Sequence, residues 1–218
     1  MTSRVRIVEN NNVIKSRLLF TLRKIADRAF SKAAPIIETK ARLVLARTIS
    51  ESPVIDSLLN GKLMVDFGLT SEIARSATNQ IIAQISKDVT VKLQPAKDKN
   101  TIGSLIFIVP PISSALAASI SDGRYISQGQ YGGGEVTWLE WLLTKGTTVI
   151  LDDFEVVQTV DYDDRSRSGG GFTIKTGVGF RIEPPFAGIE GDNFLTRAIA
   201  LATNEIQAII KKELIGAL

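Results

Sequence analysis

The sequence predicts an α+β fold: N-terminal amphipathic helices, a small and mostly antiparallel central sheet, and a C-terminal helix packed on that sheet. Three observations predict it. Apolar residues recur at helical spacing from residue 13 to about residue 87, the period switches to strict alternation at Val89, and helical spacing returns after residue 192. A chain of 218 residues suits one compact unit. Within it, residues 1–88 form the helical region and residues 89–218 the α+β core with its C-terminal helix.

The elements follow in order. Leu18, Leu22, Ile25 and Ala29 stand at steps of four, three and four, which keeps them on one face of a helix over residues 13–33. Pro35 is expected to break that helix or to open a second one, whose stripe of Ile37, Ala41, Val44 and Leu45 runs to about Glu51. Ser52-Pro53 signals a restart and Asn60-Gly61 a stop. Ser71 is the expected N-cap of a helix carrying Ile73, Ala77, Ile81 and Ile85, which ends near Lys87.

Val89, Val91 and Leu93 then alternate with polar residues, and Leu105–Val109 gives a second strand that Pro110-Pro111 closes. Residues 121–135 are glycine-rich and loop-like. Trp138–Leu143 reads as a short helix with Thr137 as N-cap and Gly146 as its stop. Strands are expected at Thr147–Leu151 and Phe154–Val160 with a turn at Asp152-Asp153, then at Phe172–Lys175 and Gly179–Ile182. Asp192 or Asn193 caps the last helix, whose Leu195, Ala198, Ile199, Ala202, Ile206, Ile209 and Ile210 trace one face. Lys211 and Lys212 lie in its last turn.

Composition narrows the chemistry. The chain has no cysteine and no histidine, which excludes disulfides, thiol nucleophiles, Cys/His zinc sites and imidazole acid–base catalysis together. Carboxylate-only metal chemistry and lysine chemistry survive that exclusion. No apolar run approaches the roughly 18 residues of a membrane span, and no signal peptide is evident, so a protein made in the cytoplasm is expected. The net charge of +3 is unevenly spread. Residues 15–51 carry nine basic and three acidic groups, a balance of +6, whereas residues 135–165 carry eight acidic and two basic ones, a balance of −6. Such segregation suits a chain that docks copies of itself or other charged partners.

Each conspicuous feature has a plain alternative. The glycine runs at 132–134 and 169–171 lack the lysine and the strand–loop–helix context of a phosphate loop, and read as loops that order on assembly. Asp161, Asp163 and Asp164 offer oxygen ligands, but Arg165 and Arg167 stand where a calcium loop needs other residues, so a solvated turn is the simpler reading. The basic helical segment has no aromatic platform or nucleic-acid motif and reads as a solvated face. Trp138 and Trp141 share one helical face, where core packing competes with a role as anchors at a subunit contact.

Three segments together carry a resemblance: Trp138-Leu-Glu-Trp-Leu-Leu-Thr-Lys-Gly-Thr147, Gly169-Gly-Gly-Phe172, and Phe180-Arg-Ile-Glu-Pro-Pro-Phe-Ala-Gly188 ahead of the terminal helix. This pattern resembles the tail-completion and neck proteins of long-tailed bacteriophages, with Glu140 and the Arg181…Pro185-Phe186 segment as the matching elements. The match covers roughly the C-terminal 80 residues. It implies a non-catalytic virion protein that joins head to tail as a ring of identical subunits, a hexamer or a dodecamer. Other neck, connector and tail proteins would be its partners. No cofactor, metal or membrane contact is expected from the composition, and non-specific contact with DNA in the channel is an option. The interface candidates are Trp138, Trp141, Gly133, Gly170, Arg181 and Phe186.

Three rival readings stand beside it. One is a tail-terminator or other connector ring. Another is a carboxylate-metal enzyme using Asp152, Asp153, Asp161 and Asp163. The third is a non-specific DNA-binding protein acting through residues 15–47.

Overall fold

The computed structural model describes residues 10–94, 103–109, 112–127, 134–150, 154–158, 172–176 and 179–218. Its helices are α1 (Asn11–Ser50), α2 (Pro53–Asn60), α3 (Lys62–Asp66), α4 (Ser71–Asp88), α5 (Ser114–Ser119), α6 (Trp138–Thr144) and α7 (Phe194–Ala217). Its strands are β1 (Thr90–Gln94), β2 (Ser104–Ile108), β3 (Tyr125–Ser127), β4 (Gly134–Val136), β5 (Phe154–Gln158) and β6 (Phe172–Thr176). The class is α+β, and every described strand pair is antiparallel. The strands form three separate two-stranded pairs, β1–β2, β3–β4 and β5–β6, and no central sheet joins them among the described residues.

Two compact units share the chain. The first takes the described residues of Met1–Ala41, Val89–Ile108 and Glu205–Leu218, and the second takes Arg42–Asp88 and Val109–Asn204. Both α1 and α7 run from one unit into the other.

In the first unit, α1 buries a stripe of small residues, Ala26, Ala29, Ala33 and Ala41, together with Ile37. The expected break at Pro35 does not occur: α1 is one helix of 40 residues with Pro35 inside it. Proline costs about 3 kcal/mol in a helix interior. Here the buried stripe continues on both sides of it, while Pro35 itself and Ser31, whose carbonyl loses its partner, are exposed to water. Of the expected face of Leu18, Leu22, Ile25 and Ala29, only Ala29 is buried; the three residues in the turns before it are exposed, and the buried stripe starts at Ala26. Hairpin β1–β2 pairs Thr90 with Ile108 through Gln94 with Ser104. The Val91 N–H donates to the Glu38 carboxylate of α1 at 2.9 Å, and Lys40 of α1 pairs with Glu213 of α7 at 2.6 Å. In this unit α7 therefore meets a helix.

The second unit holds the main core, contributed by α2 through α7 and the last turns of α1. Ser52 caps α2, its side-chain oxygen accepting from Val54 N–H, with Pro53 at the first helical position. Thr70 takes the capping role expected of Ser71: its hydroxyl oxygen accepts the Ile73 N–H at 3.2 Å. Ile81 and Ile85 of α4 are fully buried with Leu58, Leu63, Leu69 and Phe67. The first turns of α7 bury Leu195, Ala198 and Ala202, three members of the predicted face.

Two expected strands are absent. Thr147–Ile150 is a turn, with Leu151 outside the described residues. Its Thr148 N–H and hydroxyl both return to the Lys145 carbonyl, at 3.3 and 2.6 Å, and this local bonding displaces extended pairing. Gly179–Ile182 forms no strand either. Phe180 alone bridges, its carbonyl accepting the Ile150 N–H at 2.8 Å. Strand β5 pairs instead with β6, from Phe154 opposite Thr176 to Gln158 opposite Phe172. The segment read as loop, 121–135, contains β3 and the start of β4.

Candidate interaction surface

The described residues of the site implied by the resemblance belong to the second unit and gather around α6. Leu139, Leu142, Leu143 and Trp138 occupy its buried face, and Thr137 makes no side-chain cap bond. Trp138 is 1% exposed, its indole N–H donates to the Asp122 carbonyl at 2.9 Å, and its ring lies 5.6 Å from that of Phe67. The packing alternative therefore describes Trp138, which has no free surface to present. Trp141 is half-buried against the core, 6.3 Å from the ring of Phe180. Phe180 in turn meets Phe67 edge to face at 6.2 Å. Four aromatic rings thus form one cluster, an arrangement worth about 0.5–1.5 kcal/mol per pair beyond area burial.

Beyond α6 the chain turns at Gly146, whose φ of +61 is a left-handed conformation suited to glycine. The Gly146 N–H donates to the Gly188 carbonyl at 2.8 Å. Gly188 has no room for a side chain, because a Cβ there would lie 2.6 Å from the Leu142 carbonyl oxygen and 2.5 Å from Asn193 Cβ. Asn193, fully buried, completes the junction. Its Oδ1 accepts the N–H groups of Leu195 and Thr196, and its Nδ2 donates to the carbonyls of Leu143 and Ile189.

On the outside of this scaffold, Thr147, Arg181, Ile182, Glu183, Pro184 and Pro185 line a groove of about 400 Å³. Arg181 is exposed and Phe186 is half-buried against the core. The Glu183 carbonyl accepts the Phe186 and Ala187 N–H groups, which curls the Pro-Pro-Phe segment into a turn. The Glu183 carboxylate pairs with Lys62, and that bond raises the lysine pKa. Asp66 stands near both. Burial raises its carboxyl pKa, Lys62 opposes the rise and Glu183 adds to it.

The structure thus brings Trp141, Arg181 and Phe186 onto one unit around the aromatic cluster and places Trp138 beneath them. Gly133 and Gly170 lie outside the described residues, as do Asp152, Asp153, Asp161 and Asp163 of the metal reading. Sequence reasoning missed the Lys62–Glu183–Asp66 group and the ring of Phe67, which follow from the short helix α3. It took Asn193 only for a cap. The Gly188-Ile-Glu-Gly-Asp-Asn193 run, with glycines on either side of an acidic turn, was the available signal.

A second feature is the set of large apolar side chains exposed along the first turns of α1. Val13, Leu18, Phe20, Leu22 and Ile25 are 43–59% exposed, and Lys15, Arg17, Lys24, Arg28 and Lys32 are exposed among them. Lys24 lies over the Phe20 ring at 4.5 Å. No family model, curated protein or solved structure matches the chain.

Proposed function

We propose that the chain is a non-catalytic assembly protein of a long-tailed phage, acting in the neck as a ring of identical subunits between head and tail. The observation that carries the assembly part is the exposed apolar face of Leu18, Leu22 and Ile25 on α1, at steps of four and three. Large apolar groups that cluster on a surface mark places where another macromolecule binds. The phage part rests on the segments at 138–147 and 180–188, which pack together through the Gly146–Gly188 hydrogen bond and the Trp141 and Phe180 rings. A ring interface is heterologous, so one subunit presents two different faces. The uneven charge of residues 15–51 and 135–165 fits that requirement.

The test is composition and phenotype together. Mass spectrometry of purified particles is expected to find the chain at a fixed low copy number, and its deletion is expected to leave filled heads and separate tails. Absence from purified particles would end this reading.

A specific observation favours one rival as well: seven of the nine basic residues between 15 and 51 are exposed. Non-specific DNA binding through them predicts an affinity that collapses with salt. No retardation of duplex DNA at low salt would dismiss it.

A further inference from the structure

The two edges of hairpin β1–β2 are treated differently. The Val91 N–H points away from β2 and donates to Glu38, so the outer edge of β1 is engaged by α1. In an antiparallel pair, outward and inward backbone groups alternate. Val91 faces Phe107 across the hairpin, so the backbone groups of Phe107 and of Leu105 point to the outer edge of β2. Among the described residues no backbone group pairs with that edge.

Proteins guard free edges with lysine, proline or a bulge. Strand β2, Ser104-Leu-Ile-Phe-Ile108, has no charge and no proline within it. Ile106 and Ile108 are 39% and 36% exposed on the face they share.

We infer that the outer edge of β2 is a docking edge for β2 of a second copy of this chain. Being uncharged, the strand meets its own copy without like-charge repulsion. With Ile106 opposite Ile106 of the other copy, Leu105 and Phe107 form the two hydrogen-bonded pairs, using the backbone groups that point outward. Ile106 and Ile108 from both copies then gather into one apolar patch on a four-stranded sheet. Lys92 of each copy flanks the patch, the two lysines lying three strand spacings or roughly 14 Å apart, beyond the screening length of ordinary buffers. Two-stranded hairpins are marginal alone, and pairing to four strands relieves that. The contact is isologous, so it joins two chains about a two-fold axis and is distinct from the heterologous contact between neighbours in a ring.

The chain's lack of cysteine makes the test clean. In the predicted register the two Ile106 residues form a non-hydrogen-bonded pair, whose Cα separation of about 4.5 Å admits a disulfide. Ile106→Cys, oxidised in otherwise native chain, is expected to give covalent dimer several-fold faster than Leu201→Cys, a control on α7 that is more solvent-accessible, at 76% exposure against 39%. Adding Leu105→Pro, which deletes an outward N–H and leaves the bonds to β1, is expected to abolish that advantage while the circular dichroism spectrum is kept. Equal cross-linking at 106 and 201 would overturn the inference. So would cross-linking at 106 that survives the proline.

Discussion

The side-chain amide of Asn193 donates to the carbonyl of Leu143 at 3.4 Å and so ties the start of α7 to the end of α6. The same residue caps α7 through its Oδ1. Asn193→Ala removes the cap, worth about 1 kcal/mol, and takes the amide donor from the buried Leu143 carbonyl at a cost of about 1–3 kcal/mol. A loss of roughly 2–4 kcal/mol in urea unfolding is expected. Asn193→Asp keeps the acceptor but not the donors, and a loss as small as that of a surface change would refute this role.

Three glycines give a graded comparison. Gly188→Ala places a methyl group against the Leu142 carbonyl and Asn193, and overpacking of this kind costs about 1–3 kcal/mol. Gly191 has open space but a φ of +88, so alanine there costs only backbone strain, about 1 kcal/mol. Gly216 lies in α7 with nothing near it, and alanine is expected to stabilise by about 0.5–1 kcal/mol. Thermal unfolding of the three variants checks the order.

The Asp66 carboxyl is raised chiefly by burial. A carboxyl whose folded pKa exceeds its unfolded value, about 3.9, favours folding fully below that value. That contribution is lost as pH climbs through the raised folded pKa. Asp66→Asn is therefore expected to be more stable than the parent near neutral pH and equal to it below about pH 4. Urea midpoints across that window test the sign, and a less stable variant at neutral pH would show that the charge is held by Lys62.

Much of the helical plan was legible because burial and period agree. The face of α7 from Leu195 to Ile206 and the Ile81–Ile85 repeat of α4 are examples. Pro35 misled because a local rule, the lost N–H, is outweighed by a buried alanine stripe that spans it. The apolar spacing of Leu18, Leu22, Ile25 and Ala29 marked a helix whose face is buried at Ala29 but exposed in the turns before it, since periodicity identifies an apolar stripe without saying how far along the helix it is covered. At Thr147–Leu151 β-branched residues suggested a strand, and over its described part, Thr147–Ile150, a turn closed by Thr148 formed instead. Within the site, Arg181 and Phe186 were visible as a motif, whereas the Lys62–Glu183 pair joins residues 121 apart and no local pattern encodes it.

The exposed side of α1 supplies a prediction that separates assembly from folding. Leu18→Ser with Leu22→Ser changes two exposed positions. Stability is expected to stay within about 0.5 kcal/mol, while incorporation into particles falls sharply. A large drop in the unfolding midpoint would mean that these side chains serve the fold.

The central claim is that this chain is a ring component of a phage neck. Cryo-electron microscopy of intact particles, focused on the junction of head and tail, tests it most directly. The account predicts a closed ring whose subunit density accepts the second unit, with α1 of each copy covered by a neighbour. A neck reconstruction fully explained by other chains, with no ring into which this fold can be placed, would contradict it.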